Sequence, residues 1–397
     1  MKASTDILVA GGGIAGLSAS CAFGASGFNV VCVDPVLPPT NRDAVGADLR
    51  TTAFLRPAQR LLCEAGVWQR LRPHATPLKT MRIVDAGGTG PRERLRKDFE
   101  ADDIDESLFG YNLPNTQIRA SLLERLEELE TVKFHAGLSV DALTVEPNAV
   151  NVRLSDGSEV ESRFIVAADG RDSYVRQTLN IGVRRYDFRQ SALTFAVSHD
   201  KPHRNVSIEV HRSGGPFTLV PLPDHAGRPS SAVVWMESHE TARRLAALDQ
   251  ATFERAATKR SANVLGPLTL LTRRTSWPIV SQLANRFYGP RTALVAEAAH
   301  VMPPIGAQGL NTSLKDLQRL LALARQTPDR IGEADMLKRY NRSRFPEVAA
   351  RMAGVSVLNQ ASMTSLRPLR DARALGLQLI HTVGPVRKTL MRLGLGR

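Results

Sequence analysis

The segment that decides the fold is ILVAGGGIAGLSASCAFGASGFNVVCVD, residues 7–34. An apolar run at 7–10 is typical of a buried strand, and residues 11–16 then match the pattern G-x-G-x-x-G. Small residues at 17–25 indicate a buried helix, and 29–33 read as a second apolar strand. The order strand, glycine turn, helix, strand predicts the βαβ unit that binds a dinucleotide.

Each residue type in this unit has a physical role in holding a pyrophosphate. Gly11 permits the tight turn, Gly13 lets the backbone approach the phosphates, and Gly16 lets the helix pack against the strand. The helix N-terminus offers unpaired N–H groups to the anion. The carboxylate of Asp34, after the second strand, can accept hydrogen bonds from a ribose. The predicted cofactor contacts in this unit are Gly11, Gly13, Ile14, Ala15, Gly16 and Asp34.

The composition is that of an ordinary globular protein. The chain has 397 residues, of which 43% are apolar and 23% charged. These values exclude a disordered, collagenous or coiled-coil chain and indicate about two to three domains. Three cysteines without a C-x-x-C pair argue against a disulfide framework or a zinc site. Pro202 between His199 and His203 argues against a helical metal pair, so we expect no metal and a reduced, cytoplasmic protein.

The positive charge is concentrated late in the sequence. The formal net charge is +13, and residues 338–397 hold twelve Lys and Arg against two acids, a net +10 (12 − 2). Apolar residues alternate with these bases at helical spacing, which predicts amphipathic helices. Two interpretations stay open: helices packed on the protein, or helices in peripheral contact with the inner face of an anionic membrane. Nucleic acid is not expected as a partner, because aromatic residues are only 5% and form no stacking series.

Two later segments each join a buried strand to a polar turn. Residues 163–176 run from an apolar strand into an Asp-Gly pair at Asp169 and then into a helix start. Residues 292–320 combine a strand, Glu297, a double-proline loop and the sequence GAQGLN at 306–311, which opens a helix. No second G-x-G-x-x-G and no C-x-x-x-x-C pair occurs, so the sequence predicts no separate Rossmann domain for a nicotinamide.

Together these motifs resemble those of the class A flavoprotein aromatic hydroxylases, which have the p-hydroxybenzoate hydroxylase fold. Within that family the chain is most similar to the hydroxylases of ubiquinone biosynthesis. The resemblance covers nearly the whole chain. It includes DLRTTA at 48–53, similar to the family's D-x-R-x-x-A segment, and Asn115, at the place of a polar flavin contact. The chain departs from the family at Ala296-Glu297, where Gly-Asp is usual, at the reversed pair Gly306-Ala307, and at Ser313.

The resemblance implies a set of residues around a bound FAD. Pro304 would line the flavin face and His300 is a candidate acid–base group; the alternatives are a loop-stiffening proline and a structural histidine. For Arg50 the alternative to a flavin or nicotinamide contact is a surface ion pair, and for Asp169 it is a helix N-cap. The implied cofactor contacts beyond the glycine turn are Arg50, Asn115, Asp169, Gly170, Glu297, Gly306, Ala307, Gln308, Gly309, Leu310 and Asn311.

The implied fold class is α/β, with a Rossmann-like FAD-binding domain, an inserted β-sheet substrate domain and a helical C-terminal part. The FAD-binding domain would be interrupted in sequence. The expected division is an FAD-binding domain at 1–75, 105–180 and 275–345, a β-rich substrate domain at 76–104 and 181–274, and a basic, amphipathic helical segment at 346–397.

The implied activity is monooxygenation. NAD(P)H would reduce FAD and leave, O2 would add at C4a of the reduced flavin, and the hydroperoxide would hydroxylate the ring of a polyprenylated phenol in ubiquinone biosynthesis. Other quinone-biosynthesis proteins are expected as partners. The alternatives are hydroxylation of a small soluble aromatic, a non-catalytic flavin-bound assembly subunit, motivated by Glu297, and saturation of an isoprenoid as in geranylgeranyl reductases.

Overall fold

The structure, a computed structural model, describes residues 3–44, 46–88, 92–212, 214–363 and 367–395. It is α/β, which confirms the predicted fold class. The strands are β1 Ala3–Ala10, β2 Val30–Asp34, β3 Thr51–Leu55, β4 Thr76–Leu78, β5 Thr80–Asp85, β6 Leu95–Glu100, β7 Gly110–Pro114, β8 Val132–Ala136, β9 Val140–Val145, β10 Val150–Leu154, β11 Glu159–Ala167, β12 Val183–Ser198, β13 Val206–His211, β14 Pro216–His225, β15 Arg228–Ser238, β16 Thr269–Leu270, β17 Thr275–Ala284, β18 Tyr288–Gly289, β19 Thr292–Leu294 and β20 His300–Val301. The α-helices are α1 Ile14–Gly24, α2 Arg56–Glu64, α3 Trp68–Leu71, α4 Asn115–Glu127, α5 Tyr174–Thr178, α6 His239–Ala246, α7 Gln250–Arg260, α8 Ala296–Ala299, α9 Gln308–Gln326, α10 Ala334–Met363, α11 Arg367–Thr382 and α12 Gly384–Leu395.

The first sheet contains the predicted βαβ unit. In the part of the chain that the structure describes, its strand order is β18-β19-β11-β1-β2-β8, and β10 and β9 continue it beside β11. β1 pairs in parallel with β2 on one side and with β11 on the other, and β11 pairs in parallel with β19. Every residue of α1 is buried, which fits its small and apolar sequence. The carboxyl ends of β1, β11 and β19 therefore lie side by side.

A second, largely antiparallel sheet is built mainly from the middle of the chain. Among the described residues its order is β20-β17-β12-β15-β14-β13-β5-β6, with β16 beside β12. β17 pairs with β12 along ten residues. This sheet therefore extends past residue 274, which is the predicted end of the β-rich domain. A small third sheet has the order β3-β7-β4. The predicted domain bounds stay a prediction.

Apolar clusters hold these layers together. The largest lies around the first sheet, α1 and α9, and another packs the second sheet against α6 and α7. A smaller cluster joins Phe188, Met236 and Ile279 of the second sheet to Ile305, in the loop before α9, and to Val355 of α10. This cluster holds the second sheet against the double-proline loop.

The chain beyond α9 is helical. α10 contains Pro346 and runs unbroken across residue 346, where the sequence begins its C-terminal segment. Tyr340 of α10 is fully buried, and its hydroxyl donates a hydrogen bond to the Leu294 carbonyl at 3.0 Å. The first part of α10 is therefore fastened to the end of β19.

Candidate functional site

Three of the sequence motifs meet at the carboxyl edge of the first sheet. The Ala168 amide donates to the Ala10 carbonyl at 2.8 Å, and the Val295 amide donates to the Ala167 carbonyl at 3.0 Å. The glycine turn, the Asp-Gly turn and α8, which carries Glu297, therefore follow three neighbouring parallel strands. The chain leaves β1 toward β2 on one side while β11 lies on the other, and open α/β sheets bind ligands at such a switch point.

Close packing explains two glycines of the turn, and a third borders open space. A Cβ on Gly11, whose φ is +108°, would lie 2.3 Å from the Ala168 carbonyl oxygen. A Cβ on Gly16 would lie 1.8 Å from the Gly11 carbonyl oxygen. A Cβ on Gly13 would meet none of the described residues within 4 Å. The turn is therefore tight on its inner side and open on the side where a phosphate would approach.

The start of α1 is suited to an anion. Gly13 is its N-cap and no side chain caps the helix, which leaves this terminus to be satisfied by a ligand or water. Asp34 braces the turn from β2, because its Oδ2 accepts the Gly12 amide at 2.5 Å and its Oδ1 accepts the Val36 amide at 2.9 Å. Each oxygen keeps a lone pair for a ribose hydroxyl. These residues fit the adenosine diphosphate part of FAD.

The Asp-Gly turn at the end of β11 supports the start of α5. Asp169 Oδ2 accepts the Val175 amide at 3.0 Å, and Ser173 Oγ accepts the Arg176 amide at 3.0 Å. Burial raises the pKa of Asp169, although hydrogen bonds from Ser173 and from the Val175 amide oppose it. The N-cap of α5 is Ser173 and not Asp169, which was the alternative for Asp169; Asp169 adds a second bond to the first turn, and its contact with FAD stays a prediction.

Arg176 links two of the motifs, a role that the sequence analysis missed. Its side chain is buried, and Nη1 donates to the carbonyls of Arg171 and Ala298, both at 3.0 Å. The Asp-Gly turn and α8 are therefore held together by one guanidinium. The signal was a basic residue six positions after the Asp-Gly pair, but its partner in α8 lies far along the chain.

The predicted contacts Arg50 and Asn115 are bonded to one another through Asp48. Arg50 forms a two-pronged pair with Asp48 at 2.7 and 2.8 Å, and its guanidinium lies 4.5 Å from the Trp277 ring centroid. Asn115 donates to Asp48 at 2.8 Å and accepts from Thr52 at 2.8 Å. The ion pair offered as the alternative for Arg50 is present, while flavin contacts of both residues stay predictions.

The ionised form of Asp48 should stabilise the fold. Burial acts to raise the pKa of Asp48, but the hydrogen bond and charge of Arg50 outweigh it and lower the pKa to about 2. Because the pKa is lowered on folding, the stabilisation is complete above the unfolded value near 3.8 and is lost as pH falls toward 2. We expect Asp48→Asn to lower the free energy of unfolding by roughly 2 kcal/mol at pH 7. That difference should shrink below about pH 4.

Urea titrations of the wild type and Asp48→Asn between pH 7 and pH 3 measure this effect. Asp224→Asn, at an exposed acid of β14, is the matched control and should change little. A difference between wild type and Asp48→Asn that is independent of pH would contradict the assignment.

α9 begins without a capping side chain. Its N-cap, Ala307, is left-handed with a φ of +56°. Asn311 fixes this start, because its Oδ1 accepts the Leu55 amide at 2.8 Å and its Nδ2 donates to the Ala307 carbonyl at 2.6 Å. A Cβ on Gly309 would meet nothing within 4 Å. On the side of Gly309 the helix start therefore borders open space, and its positive dipole end suits an electron-rich ligand there.

Two further predicted residues, Glu297 and Pro304, have exposed side chains. Glu297 is 48% exposed and lies 3.5 Å from the Arg171 guanidinium. Pro304 is exposed, whereas Pro303 and Ile305 on either side of it are buried. Glu297 and Pro304 are therefore accessible to a ligand, and their roles toward FAD stay predictions.

His300 lies in a buried ionic chain. Its Nε2 is 2.6 Å from Asp316 Oδ2, and Asp316 Oδ1 accepts from Arg344 Nε at 2.6 Å. All three side chains are at most 5% exposed. The arrangement supports the structural alternative for His300, and its role as an acid–base group stays a prediction. Neither Asp316 nor Arg344 was expected from the sequence to take part in the site.

Comparisons with known proteins agree with this geometry. A family model described as FAD binding domain matches residues 4–354. The ubiquinone hydroxylase UbiL of Rhodospirillum rubrum is 32% identical over 395 residues, which cover 98% of this chain and 89% of that protein. The 3-demethoxyubiquinol 3-hydroxylase of Escherichia coli is 26% identical, covering 99% of this chain and 98% of that protein. The structure of PqsL, a probable FAD-dependent monooxygenase from Pseudomonas aeruginosa, has a TM-score of 0.77 at 23% identity, covering 94% of this chain and 100% of that one.

Proposed function

Because this chain belongs to the FAD-binding family of class A flavoprotein hydroxylases, we propose that it hydroxylates the aromatic ring of a polyprenylated phenol in ubiquinone biosynthesis. NAD(P)H and O2 are its co-substrates, and a quinone precursor is its substrate. The similarity to a ubiquinone hydroxylase along 98% of the chain supports this substrate class. Other quinone-biosynthesis proteins are proposed as partners on the same ground.

The observation that carries the proposal is the meeting of three motifs at one sheet edge. Gly13 and the start of α1 offer an open cradle for the pyrophosphate, and the start of α9 offers a second uncapped helix end for the flavin ring. When bound and reduced, FAD supplies the activation of oxygen and the transfer of a hydroxyl group to an electron-rich ring. The residues present fit that cofactor at both ends.

The protein's own contribution is electrostatic and steric. The N–H groups near Gly309 and Leu310 and the dipole of α9 would stabilise negative charge on the reduced ring. The buried apolar cluster of Ile305, Met236 and Phe188 packs the second sheet against the loop that carries Pro304, and such packing would keep water from one side of a ring bound there.

Turnover with a lipid phenol is the direct test. We expect the purified protein to carry flavin and a polyprenylated phenol to stimulate NAD(P)H oxidation and O2 uptake, with a product that is one oxygen heavier by mass spectrometry. A soluble phenol without the tail should stimulate oxidation far less. Equal or better turnover of the soluble phenol would favour the small-aromatic alternative. Flavin-containing protein without any substrate-dependent O2 uptake would favour the assembly-subunit alternative.

Peripheral membrane contact is part of the proposal, and the hairpin of α11 and α12 supports it. Basic and polar groups of the hairpin lie against the body: Arg373 is 3.0 Å from Asp85, and Arg387 is 2.9 Å from Asp103. The outward apolar face is formed by leucines and valines that are 44–59% exposed. Its members are Leu375, Leu379, Val383, Val386, Leu390 and Leu393.

An amphipathic helix that packs on its own protein buries its apolar face and exposes its basic face. The hairpin of α11 and α12 has the opposite orientation. Apolar side chains next to bases such as Arg392, whose side chain is 51% exposed, suit a bilayer with anionic headgroups. In the described residues, no helix combines the length and the apolar character needed to cross a bilayer. The outward apolar face would therefore rest on the membrane surface, near the expected lipid substrate.

Flotation with lipid vesicles tests the membrane contact. We expect Leu390→Ser/Leu393→Ser to weaken binding to vesicles of phosphatidylglycerol and phosphatidylcholine by about tenfold, because apolar burial is lost. Leu37→Ser, at a leucine 62% exposed in the loop after β2, is the matched control and should bind like the wild type. Equal binding by the double variant and the control would contradict the outward apolar face as the contact.

A further inference from the structure

The first residue of α9 is bonded to two distant helices. Gln308 Nε2 donates to the Gly306 carbonyl at 2.8 Å and to the Gly394 carbonyl, near the end of α12, at 3.0 Å. Gln308 Oε1 accepts from Arg351 Nη1 of α10 at 2.5 Å. The same Arg351 nitrogen donates to the Leu393 carbonyl at 3.3 Å. The side chain of one predicted flavin contact is thus bonded to the Gly306 carbonyl, to α10 and to α12.

Leu395 adds an apolar anchor at the same place. It is 6% exposed, whereas Leu393, two residues earlier, is 55% exposed. Leu395 lines a small cleft with Leu55, with Pro57 at the start of α2 and with Thr312 of α9. The end of α12 is therefore seated against the first turn of α9.

The segment that these contacts hold has an unusual backbone. Gly306 and Ala307 are consecutive residues with φ of +62° and +56°. The left-handed conformation costs roughly 1 kcal/mol or more for a residue with a Cβ such as Ala307, and it persists where the surroundings impose it. The bond from Gln308 to the Gly306 carbonyl is one such constraint. Gln308 is in turn held by Arg351 and by the end of α12.

We propose that Arg351 and Leu395 are positioning residues that, through Gln308, hold the N-terminal turn of α9 in the orientation that receives the flavin ring. The inference rests on the proposed placement of the flavin at this helix start. A turn that is free to tilt would still offer its N–H groups, but at poorer distances and angles. Because the dipole acts on negative charge, reduced flavin would lose more stabilisation than oxidised flavin.

The reduction potential of bound FAD separates positioning from a merely structural role. At saturating FAD, we expect Leu395→Ala and Arg351→Leu each to weaken binding of reduced flavin about tenfold relative to oxidised flavin. For a two-electron couple this is a shift of about 30 mV toward negative potential. Arg351→Lys keeps the positive charge but lacks the planar guanidinium. It should shift the potential in the same direction as Arg351→Leu, by a smaller amount.

Leu358→Ala is the matched control. Leu358 lies on α10 and is 59% exposed, so its truncation should leave the potential of bound FAD unchanged. Potentials equal to the wild type in both Leu395→Ala and Arg351→Leu would overturn the inference. Should Leu395→Ala fail to fold, Arg351→Leu and Arg351→Lys decide the question by themselves.

The inference and the proposed function fail in different ways. If the proposed function is wrong, the wild type itself lacks flavin or shows no substrate-dependent O2 uptake. If only the inference is wrong, the wild type binds FAD and turns over while the variants keep its potential.

Discussion

Replacing Gly13 by alanine is expected to remove FAD binding while leaving the fold intact. Gly13 has φ −67° and ψ 172°, which alanine adopts without strain, and a Cβ there would meet no protein atom within 4 Å. The added methyl group would instead occupy the open side of the turn, where the pyrophosphate approaches. We expect the dissociation constant for FAD to rise by at least about 100-fold, with the stability of the FAD-free protein within about 0.5 kcal/mol of wild type.

Two other glycine variants sharpen this test. In Gly16→Ala the Cβ would lie 1.8 Å from the Gly11 carbonyl oxygen, so we expect loss of folded protein as well as of flavin. Gly354→Ala, in α10 with open space around it, is the control: it should bind FAD like the wild type and be equally or slightly more stable, because alanine favours a helix interior. FAD titration monitored by flavin fluorescence, together with thermal unfolding, distinguishes the three outcomes. Wild-type affinity in Gly13→Ala would show that the pyrophosphate lies elsewhere.

Asp316→Ala is expected to cause a large loss of stability. Asp316 is 0% exposed and neutralises Arg344 while also bonding His300. Its removal leaves the Arg344 guanidinium buried beside Tyr340 with one acidic partner, Glu347, whose side chain is 36% exposed. Breaking a buried ion pair from one side typically costs about 3–5 kcal/mol. Urea denaturation of the purified protein measures the loss.

Asp224→Ala, at an exposed acid, is the control for Asp316→Ala and should stay within about 0.5 kcal/mol of wild type. The double variant Asp316→Leu/Arg344→Met removes both charges, so it should recover part of the lost stability. A loss below about 1 kcal/mol in Asp316→Ala would mean that the buried chain contributes little to stability.

The sequence predicted the motifs that lie at strand ends, because local pattern decides them. The carboxyl ends of parallel strands meet at one edge, so Gly11, Asp169 and Glu297 could be placed together once their strands were recognised. The α/β fold class and the helix starting in GAQGLN follow from the same local patterns. These are the parts of the site that a reader of the sequence alone can anticipate.

The remaining contacts depend on packing between distant segments. Nothing near Arg176 indicates that it bonds the Ala298 carbonyl, and nothing near Arg351 indicates Gln308. The sequence holds one indication that Asp316 is buried. It lies four residues before Leu320, and residues four apart share one face of a helix, here the apolar face. The bases of α11 and α12 show most clearly that local sequence does not predict contacts between distant segments. Their spacing predicts amphipathic helices, but the acids that draw Arg373 and Arg387 inward lie in another part of the chain.

The pairing of β11 with β19 also has a consequence for how this chain can diversify. Ala167 and Leu294 are register partners on adjacent parallel strands, yet residues 168–293 separate them in sequence. Neighbouring strands lie about 4.8 Å apart, so the long excursion leaves and re-enters the first sheet at almost one point. The first sheet, which carries the predicted cofactor contacts, therefore stands directly before and directly after the excursion in sequence. Exchange of the part between α5 and β18, residues 179–287, is therefore expected to transplant substrate preference as a unit, because the Asp-Gly turn and Arg176 stay with the predicted flavin cradle.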